Sequence, residues 1–354
     1  MKIFISGICG FVGASLARNL RERLEGAEVF GVDNLIRPGS ETNRPLLQSA
    51  GIRVYHGDVR VPSDLDGLPK ADWVIDAAAN ASVLAGVNGR SSSRQLMEHN
   101  LIGSLNLLEY SKQHGAGLIL LSSSRVYSIP ALVGLPLKRD GNALVLDETQ
   151  PLPEGASERG IAETFSVAAP ISLYGSTKLA SEIVALDYGA AFGFPVWINR
   201  CGVLAGAGQF GTAEQGIFSY WLHAHAARRP LRYIGFGGLG LQVRDAMHPE
   251  DLAAMIALQM KHTSGDGPRL FNLGGGPRNA MSLADLTAWC DARFGKHIPE
   301  PDHRPRPFDL AWLAMDSSLA RDSFGWEPAR SLSSILEEIG AHVAAHPDWL
   351  QRCL

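Results

Sequence analysis

The chain has 354 residues, of which 45% are hydrophobic and 19% charged, with a formal net charge of −4. Such a composition belongs to a folded globular protein, and it offers no basic surplus for nucleic acid or an anionic membrane. The length allows one large α/β domain and a smaller one, with a sizeable core.

Four cysteines (Cys9, Cys201, Cys290 and Cys353) lie far apart with no zinc-like spacing, so reduced thiols and no metal are expected. A strand pattern begins at Lys2, which leaves no room for a signal peptide. No apolar stretch is long enough to cross a bilayer. A cytoplasmic protein without membrane or nucleic-acid partners is expected.

Along the first half, short apolar runs at residues 3–6, 29–32, 54–56, 74–77 and 118–122 alternate with helical patterns such as 12–24 and 98–114. This alternation predicts an α/β, doubly wound parallel sheet of Rossmann type, with strands covered on both faces. The first strand runs into Gly7-Ile8-Cys9-Gly10-Phe11-Val12-Gly13, which opens the first helix. Glycines at such a turn let backbone N–H groups approach a pyrophosphate at a helix N-terminus. Asp33 ends the second strand about 20 residues further on, where a carboxylate can bond adenosine ribose hydroxyls. An acid there repels a 2′-phosphate, so NAD is expected over NADP. Asp58 ends the third strand and is placed to reach an adenine edge. Ala77, Ala78 and Ala79 end the fourth strand with side chains small enough for close approach of a ligand.

Residues 128–172 break into Pro, Gly and charged residues, and so long an irregular connection is more often functional than filler. A helix is then expected over 174–192 and a strand over 196–199. Tyr174 and Lys178 begin that helix four residues apart, on one face, with Cβ atoms roughly 5–6 Å apart. A free phenol titrates near 10, so a base working near neutrality needs roughly 4 kcal/mol of differential stabilisation. One positive charge at about 4 Å supplies roughly that much at an effective dielectric near 20. A hydroxyl from Ser122, Ser123 or Ser124, closing the fifth strand at the same sheet edge, can bond the reacting oxygen. Residues 1–202 are expected to form the nucleotide-binding domain, with 128–172 as a segment covering the substrate. Residues 203–354 are expected to form a smaller substrate domain, some of whose elements return to the sheet.

With these motifs the chain resembles the extended short-chain dehydrogenase/reductase family, the NAD-dependent nucleotide-sugar epimerases and dehydratases, from residue 2 to about 345. Within it, residues 33–43, 80–86, 124–127, 208–211 and 242–245 look like the CDP-paratose and CDP-tyvelose 2-epimerases, as does the long gap between Ser123 and Tyr174. The resemblance implies that Gly7, Gly10, Phe11, Val12 and Gly13 hold the diphosphate of NAD. Asp33, Asn34, Asp58, Val59, the three alanines, Asn100 and Cys201 complete the cofactor contacts with Tyr174 and Lys178. Tyr174 and Lys178 are catalytic in that family. The catalytic Ser or Thr stands three residues before the Val of Val126-Tyr127, which selects Ser123 with Ser124 as its neighbour. Arg244, Arg306 and Asp309 match positions that hold the substrate's diphosphate and nucleotide, with Arg232 or Arg304 as substitutes. Ser82, Ser124, Gln209 and Phe210 are candidates for the sugar pocket.

The chain departs from the family at three places. Val203 stands where many 4-epimerases have Asn, Cys9 replaces a small residue in the glycine turn, and Ser124-Arg125 replaces the Asp-Glu pair that eliminates water in the 4,6-dehydratases. The expected reaction is therefore hydride transfer without elimination. A sugar hydroxyl is oxidised by NAD and the hydride returns to the other face, most closely as in 2-epimerisation of a CDP-linked deoxyhexose. A 4-epimerase, a net oxidoreductase and a non-catalytic NAD-binding protein are the alternatives. The helices at 98–114 and 174–192 resemble a family dimer interface, so a homodimer is expected.

Overall fold

The computed structural model describes residues 1–87, 89, 91–262 and 267–353. Seven parallel strands form the central sheet: β1 (Lys2–Ser6), β2 (Glu28–Asp33), β3 (Arg53–His56), β4 (Trp73–Asp76), β5 (Gly117–Ser123), β6 (Val196–Cys201) and β7 (Leu270–Leu273). Their order is β7-β6-β5-β4-β1-β2-β3. The chain winds outward from β1 to β3, then crosses back to β4 on the other side of β1. The carboxyl ends of β1 and β4 therefore diverge at a switch point, where open α/β sheets bind ligands.

Alternation within the strands explains why both faces are covered. Ile3, Ile5, Trp73, Ile75, Ile119 and Leu121 point to one side, into a core shared with helices α1 (Phe11–Arg23) and α4 (Pro249–Gln259). Phe4, Phe30, Val74, Leu118, Leu120 and Ile198 point to the other, toward α2 (Gly103–His114) and α3 (Leu173–Phe192). A period of two with every position apolar is the pattern of a sheet buried on both faces. Each fully buried side chain of this kind contributes roughly 1.5–3 kcal/mol.

Four short strands, Val203–Leu204, Val243–Met247, Ala280–Ser282 and Trp312–Leu313, make a second sheet at the carboxyl edge of the first. Helices Ile217–Ala226, Leu283–Phe294 and Leu332–Ala345 pack around it through Trp221, Leu222, Leu286, Ile335 and Ile339.

Residues 128–172 contain more regular structure than their composition suggests. They form a short helix, Ile129–Val133, and two hairpins, Leu137–Asp140 with Ala143–Leu146 and Ala156–Ser157 with Gly160–Ile161. Leu132, Leu135, Leu146, Ile161 and Phe165 pack on Trp312, Leu313 and Met315. Ile161 N–H donates to the Ala314 carbonyl at 2.9 Å.

Candidate active site

At the end of β1 the chain turns through Gly7, whose φ of +63° is left-handed, and Gly10 N–H closes the turn on the Gly7 carbonyl at 3.0 Å. A Cβ on Gly13 would stand 2.2 Å from that carbonyl oxygen, so only glycine lets α1 start so close to β1. The first N–H groups of α1 have no partner within the helix, and Phe11, Val12 and Gly13 line a cavity of about 1060 Å³. Ser6 fixes the opposite wall. Its hydroxyl donates to Asp76 at 3.2 Å and accepts from the Ala77 and Ala78 N–H groups at 3.0 Å each.

Asp33 is buried at the end of β2, where its carboxylate accepts the N–H groups of Cys9 and Leu35, both at 2.8 Å. Burial raises its pKa, against those hydrogen bonds. Burial also pushes the Cys9 thiol up to about 12, aided by Asp33, so Cys9 is an inert filler of the turn. Asp58 accepts two bonds from the Arg60 guanidinium at 2.9 and 2.6 Å, one from the Arg60 N–H at 2.9 Å and one from Asn34 at 3.0 Å. The Arg60 guanidinium holds that carboxyl well below the usual carboxylate range. The glycine cradle with its bare N–H groups, a buried acid at the neighbouring strand end and small alanines opposite fit a dinucleotide diphosphate and its ribose. Gly7, Gly10, Asp33, Asn34, Asp58, Val59, Ala77, Ala78 and Ala79 all line this end of the cavity.

The other half of the cavity begins where β5 ends. The Ser122 hydroxyl donates to Glu182, which also holds Arg200 in a buried ion pair. That leaves Ser123 and Ser124 at the cavity wall without such a tie. Ser172 caps α3 by accepting Gly175 N–H at 3.1 Å, and the first two turns that follow carry Tyr174 and Lys178. Both side chains are buried, 7% and 2% exposed, yet both line the cavity together with Ser123. Cys201, at the end of β6, lies beside Lys178. Burial pushes its thiol up to about 12, with the ammonium opposing. Asn100 lies in a π-helical turn, Glu98–Ile102, preceding α2. It bonds both the N–H and carbonyl of Asn80 (2.8 and 3.1 Å) and the Thr177 hydroxyl (3.1 Å). It thus ties the loop after β4 to α3 and is not among the residues that line the cavity.

Beyond Tyr174 the cavity continues to Arg125, Arg244, Arg306 and Asp309. Arg244 pairs with Asp309 at 2.9 Å and also donates to the carbonyls of Val243 and Leu310, each at 2.7 Å. Arg125 donates to the Phe308 carbonyl at 3.2 Å. Burial and its arginine neighbours push its guanidinium down to about 10. Gln209 and Phe210 line the cavity, Gln209 donating to the Leu204 carbonyl at 2.8 Å and Phe210 stacking on Trp349 at 5.4 Å. Ser82 is not among the lining residues, since its hydroxyl is turned to Glu214 at 3.1 Å. Arg232 lines the cavity and pairs with Glu300, whereas Arg304 is exposed and pairs with Asp302. No residue of 128–172 lines the cavity. The hairpins' apolar residues are committed to the contacts with 312–315 described above.

Among the lining residues that the sequence does not single out as site residues are Arg37, Arg60, Arg125 and Glu214. Arg37 bonds the Phe210 carbonyl and Gln215, linking the loop after β2 to residues more than 170 positions away. Only Arg125 had a local cue, its place two residues after Ser123.

The chain is 28% identical over 300 residues to CDP-paratose 2-epimerase of Salmonella typhi, covering 81% of this chain and 82% of that protein. It is 26% identical over 360 residues to UDP-glucose 4-epimerase of Corynebacterium glutamicum, covering 98% and 97%. Among solved structures, UDP-glucose 4-epimerase of Thermotoga maritima with UDP-glucose shares the fold at a TM-score of 0.76 and 23% identity, covering 98% and 99%. The model of the NAD dependent epimerase/dehydratase family matches residues 3–274, well over half of the chain. On this match, with the glycine turn and the Tyr174–Lys178 pair on one cavity, the chain belongs to the NAD-dependent epimerase/dehydratase family.

Proposed function

We propose that the protein epimerises a nucleotide-diphosphate sugar by transient oxidation to a keto-sugar, acting at C2 of a CDP-linked hexose. One observation carries the reading: Ser123, Tyr174 and Lys178 share a single cavity with the glycine cradle at one end and an arginine cluster at the other. Its volume, about 1060 Å³, lies at the upper end of ligand sites and suits two ligands side by side.

Bound NAD supplies a reversible hydride acceptor. Tyr174 takes the proton of the sugar hydroxyl as the carbon loses its hydride, and returns it when the hydride comes back to the opposite face. Lys178, one turn along, stabilises the phenolate, and Ser123 holds the oxygen through its change from hydroxyl to carbonyl. The reaction ends with the cofactor as it began. Loss of water has no support, because Ser124 and Arg125 follow Ser123 and neither offers a carboxyl group. The likeness to CDP-paratose 2-epimerase favours C2 and cytidine, while that to UDP-glucose 4-epimerase keeps C4 as the second reading.

Exposed Ile102, Ile183, Leu186 and Phe192 on the outer face near α2 and α3 suit a second copy of the chain, and we read the protein as a homodimer. Four unpaired, buried cysteines suit a cytoplasmic setting. Among the described residues no helix is long and apolar enough to cross a membrane.

The test incubates NAD-loaded enzyme with CDP-, UDP-, GDP- and dTDP-hexoses in heavy water. An inverted product with no solvent deuterium and no net NADH is expected. Deuterium at the inverted carbon, or stoichiometric NADH, would overturn the hydride-return mechanism. Tyr174→Phe should lower turnover by roughly 10²- to 10⁴-fold while NAD stays bound. Full activity in that variant would remove Tyr174 as the base.

A further inference from the structure

The arginines around the cavity are not equivalent once their partners are counted. Arg60 and Arg232 are paired with Asp58 and Glu300, and Arg37 is bonded to the Phe210 carbonyl. Arg244, a residue expected to hold phosphate, has its charge matched by Asp309 at 2.9 Å. Arg125 and Arg306 remain. Both are half-buried, and among the described residues neither has a carboxylate partner within ion-pair distance. Two guanidinium groups without a direct ion-pair partner beside a cavity suit two negative charges, which is what a diphosphate brings.

Arg125 stands at the reacting end. Its backbone N–H donates to the Ser123 hydroxyl at 3.2 Å. Its carbonyl lies so close to α3 that a Cβ on Gly175, the residue after Tyr174, would come within 2.1 Å of it. Its guanidinium is steered by a bond to the carbonyl of Phe308, a residue held at a left-handed φ of +60°. Non-glycine residues adopt that conformation seldom, and strained residues of this kind cluster at functional sites. The backbone of Arg125 is thus fixed against both Ser123 and the turn that carries Tyr174, and its guanidinium against the turn at Phe308.

We infer that Arg125 binds the sugar-proximal phosphate of the substrate and thereby selects C2 as the carbon presented to Tyr174. The inference rests on the nucleotide-sugar reading above and adds the residue that chooses the carbon. In a hexosyl phosphate the phosphorus is three bonds from C2 and five from C4. A cation fixed beside the base therefore holds C2 at the reacting position, whereas reaction at C4 needs the phosphate on the far side of the ring.

The experiment measures binding of the mono- and diphosphates of cytidine, uridine and thymidine to NAD-loaded wild type, Arg125→Met and Arg125→Lys by calorimetry. Arg125→Met should lose on the order of 10- to 100-fold in affinity for the diphosphate and little for the monophosphate. Arg125→Lys should recover part of that loss. Equal losses for both, as from a merely structural Arg125 that supports the Phe308 turn, would overturn the assignment alone. Failure of the wild type to bind any nucleoside diphosphate would instead sink the nucleotide-sugar reading, and this one with it. The glucose conjugate of the preferred diphosphate, deuterated at C2 or at C4, then reports the carbon. A primary isotope effect on turnover from C2, with inversion at C2, supports the inference, and an isotope effect or inversion at C4 overturns it.

Discussion

At Gly13 a single methyl group would stand 2.2 Å from the Gly7 carbonyl oxygen, against backbone that has no rotamer with which to give way. Gly13→Ala should therefore push α1 off β1 at a cost of about 1–3 kcal/mol, typical of overpacking. The purified variant should carry little nucleotide. Extraction and chromatography of bound NAD, beside a melting curve, would check both effects, and full NAD occupancy would show that the cradle is not where the dinucleotide lies. Asp33 belongs to the same arrangement. The carboxylate that faces the cavity also anchors Cys9 N–H and Leu35 N–H, so its position is fixed by the protein before any ribose arrives.

On the scale of elements, the proposed reading gives α3 two separate tasks on one helix. Its first two turns, started by the Ser172 cap and pressed against Arg125, set Tyr174 and Lys178. Further along, Ile183 and Leu186 are exposed at 58% and 36%, three residues apart on one face. Replacing both with Glu should give a monomer by light scattering with its NAD retained. An unchanged mass would remove this face as the contact between copies. The alternation of strands and helices up to β6, and the Tyr-x-x-x-Lys spacing, were legible because both are local periodicities. The hairpins within 128–172 were not, since what orders them is pairing of Ile161 with residues beyond 310. The same reason hid Arg37 and Glu214, whose partners lie far away in the chain. Asn100 and Ser82 were legible as conspicuous residues, but their side chains are spent on tying loops, which spacing cannot reveal.

For the molecule as a whole, Asp245 of the second sheet ties the turn after β7 to the end of the Trp312–Leu313 strand, accepting Gly276 N–H at 3.0 Å and Met315 N–H at 3.3 Å. Burial pushes its carboxyl up to about 6 from 3.8. Because the folded pKa is raised, the folded state holds the proton more tightly. Its contribution to stability is full below about 3.8 and is lost as pH rises through about 6. The loss is on the order of 3 kcal/mol at ~1.36 kcal/mol per unit. Glu338, held down to about 2 chiefly by its bond from His248, acts in the opposite sense, losing its contribution as pH falls through that value. Urea midpoints of wild type and Asp245→Asn between pH 4 and 7 should therefore diverge in slope, with the variant lacking the decline. Parallel curves would mean that Asp245 does not titrate in this window.

The place of β7 in the sheet has a consequence for how the chain comes off the ribosome. Until residue 259 has emerged α1 lacks α4, and until residue 273 has emerged β6 has no neighbour on its outer side, so the nascent nucleotide-binding half first presents an uncovered apolar helix face and then bare main-chain amides. The two halves are therefore a single unit in biosynthesis, and a cut after residue 202 would leave a sticky ribbon instead of a smaller working domain.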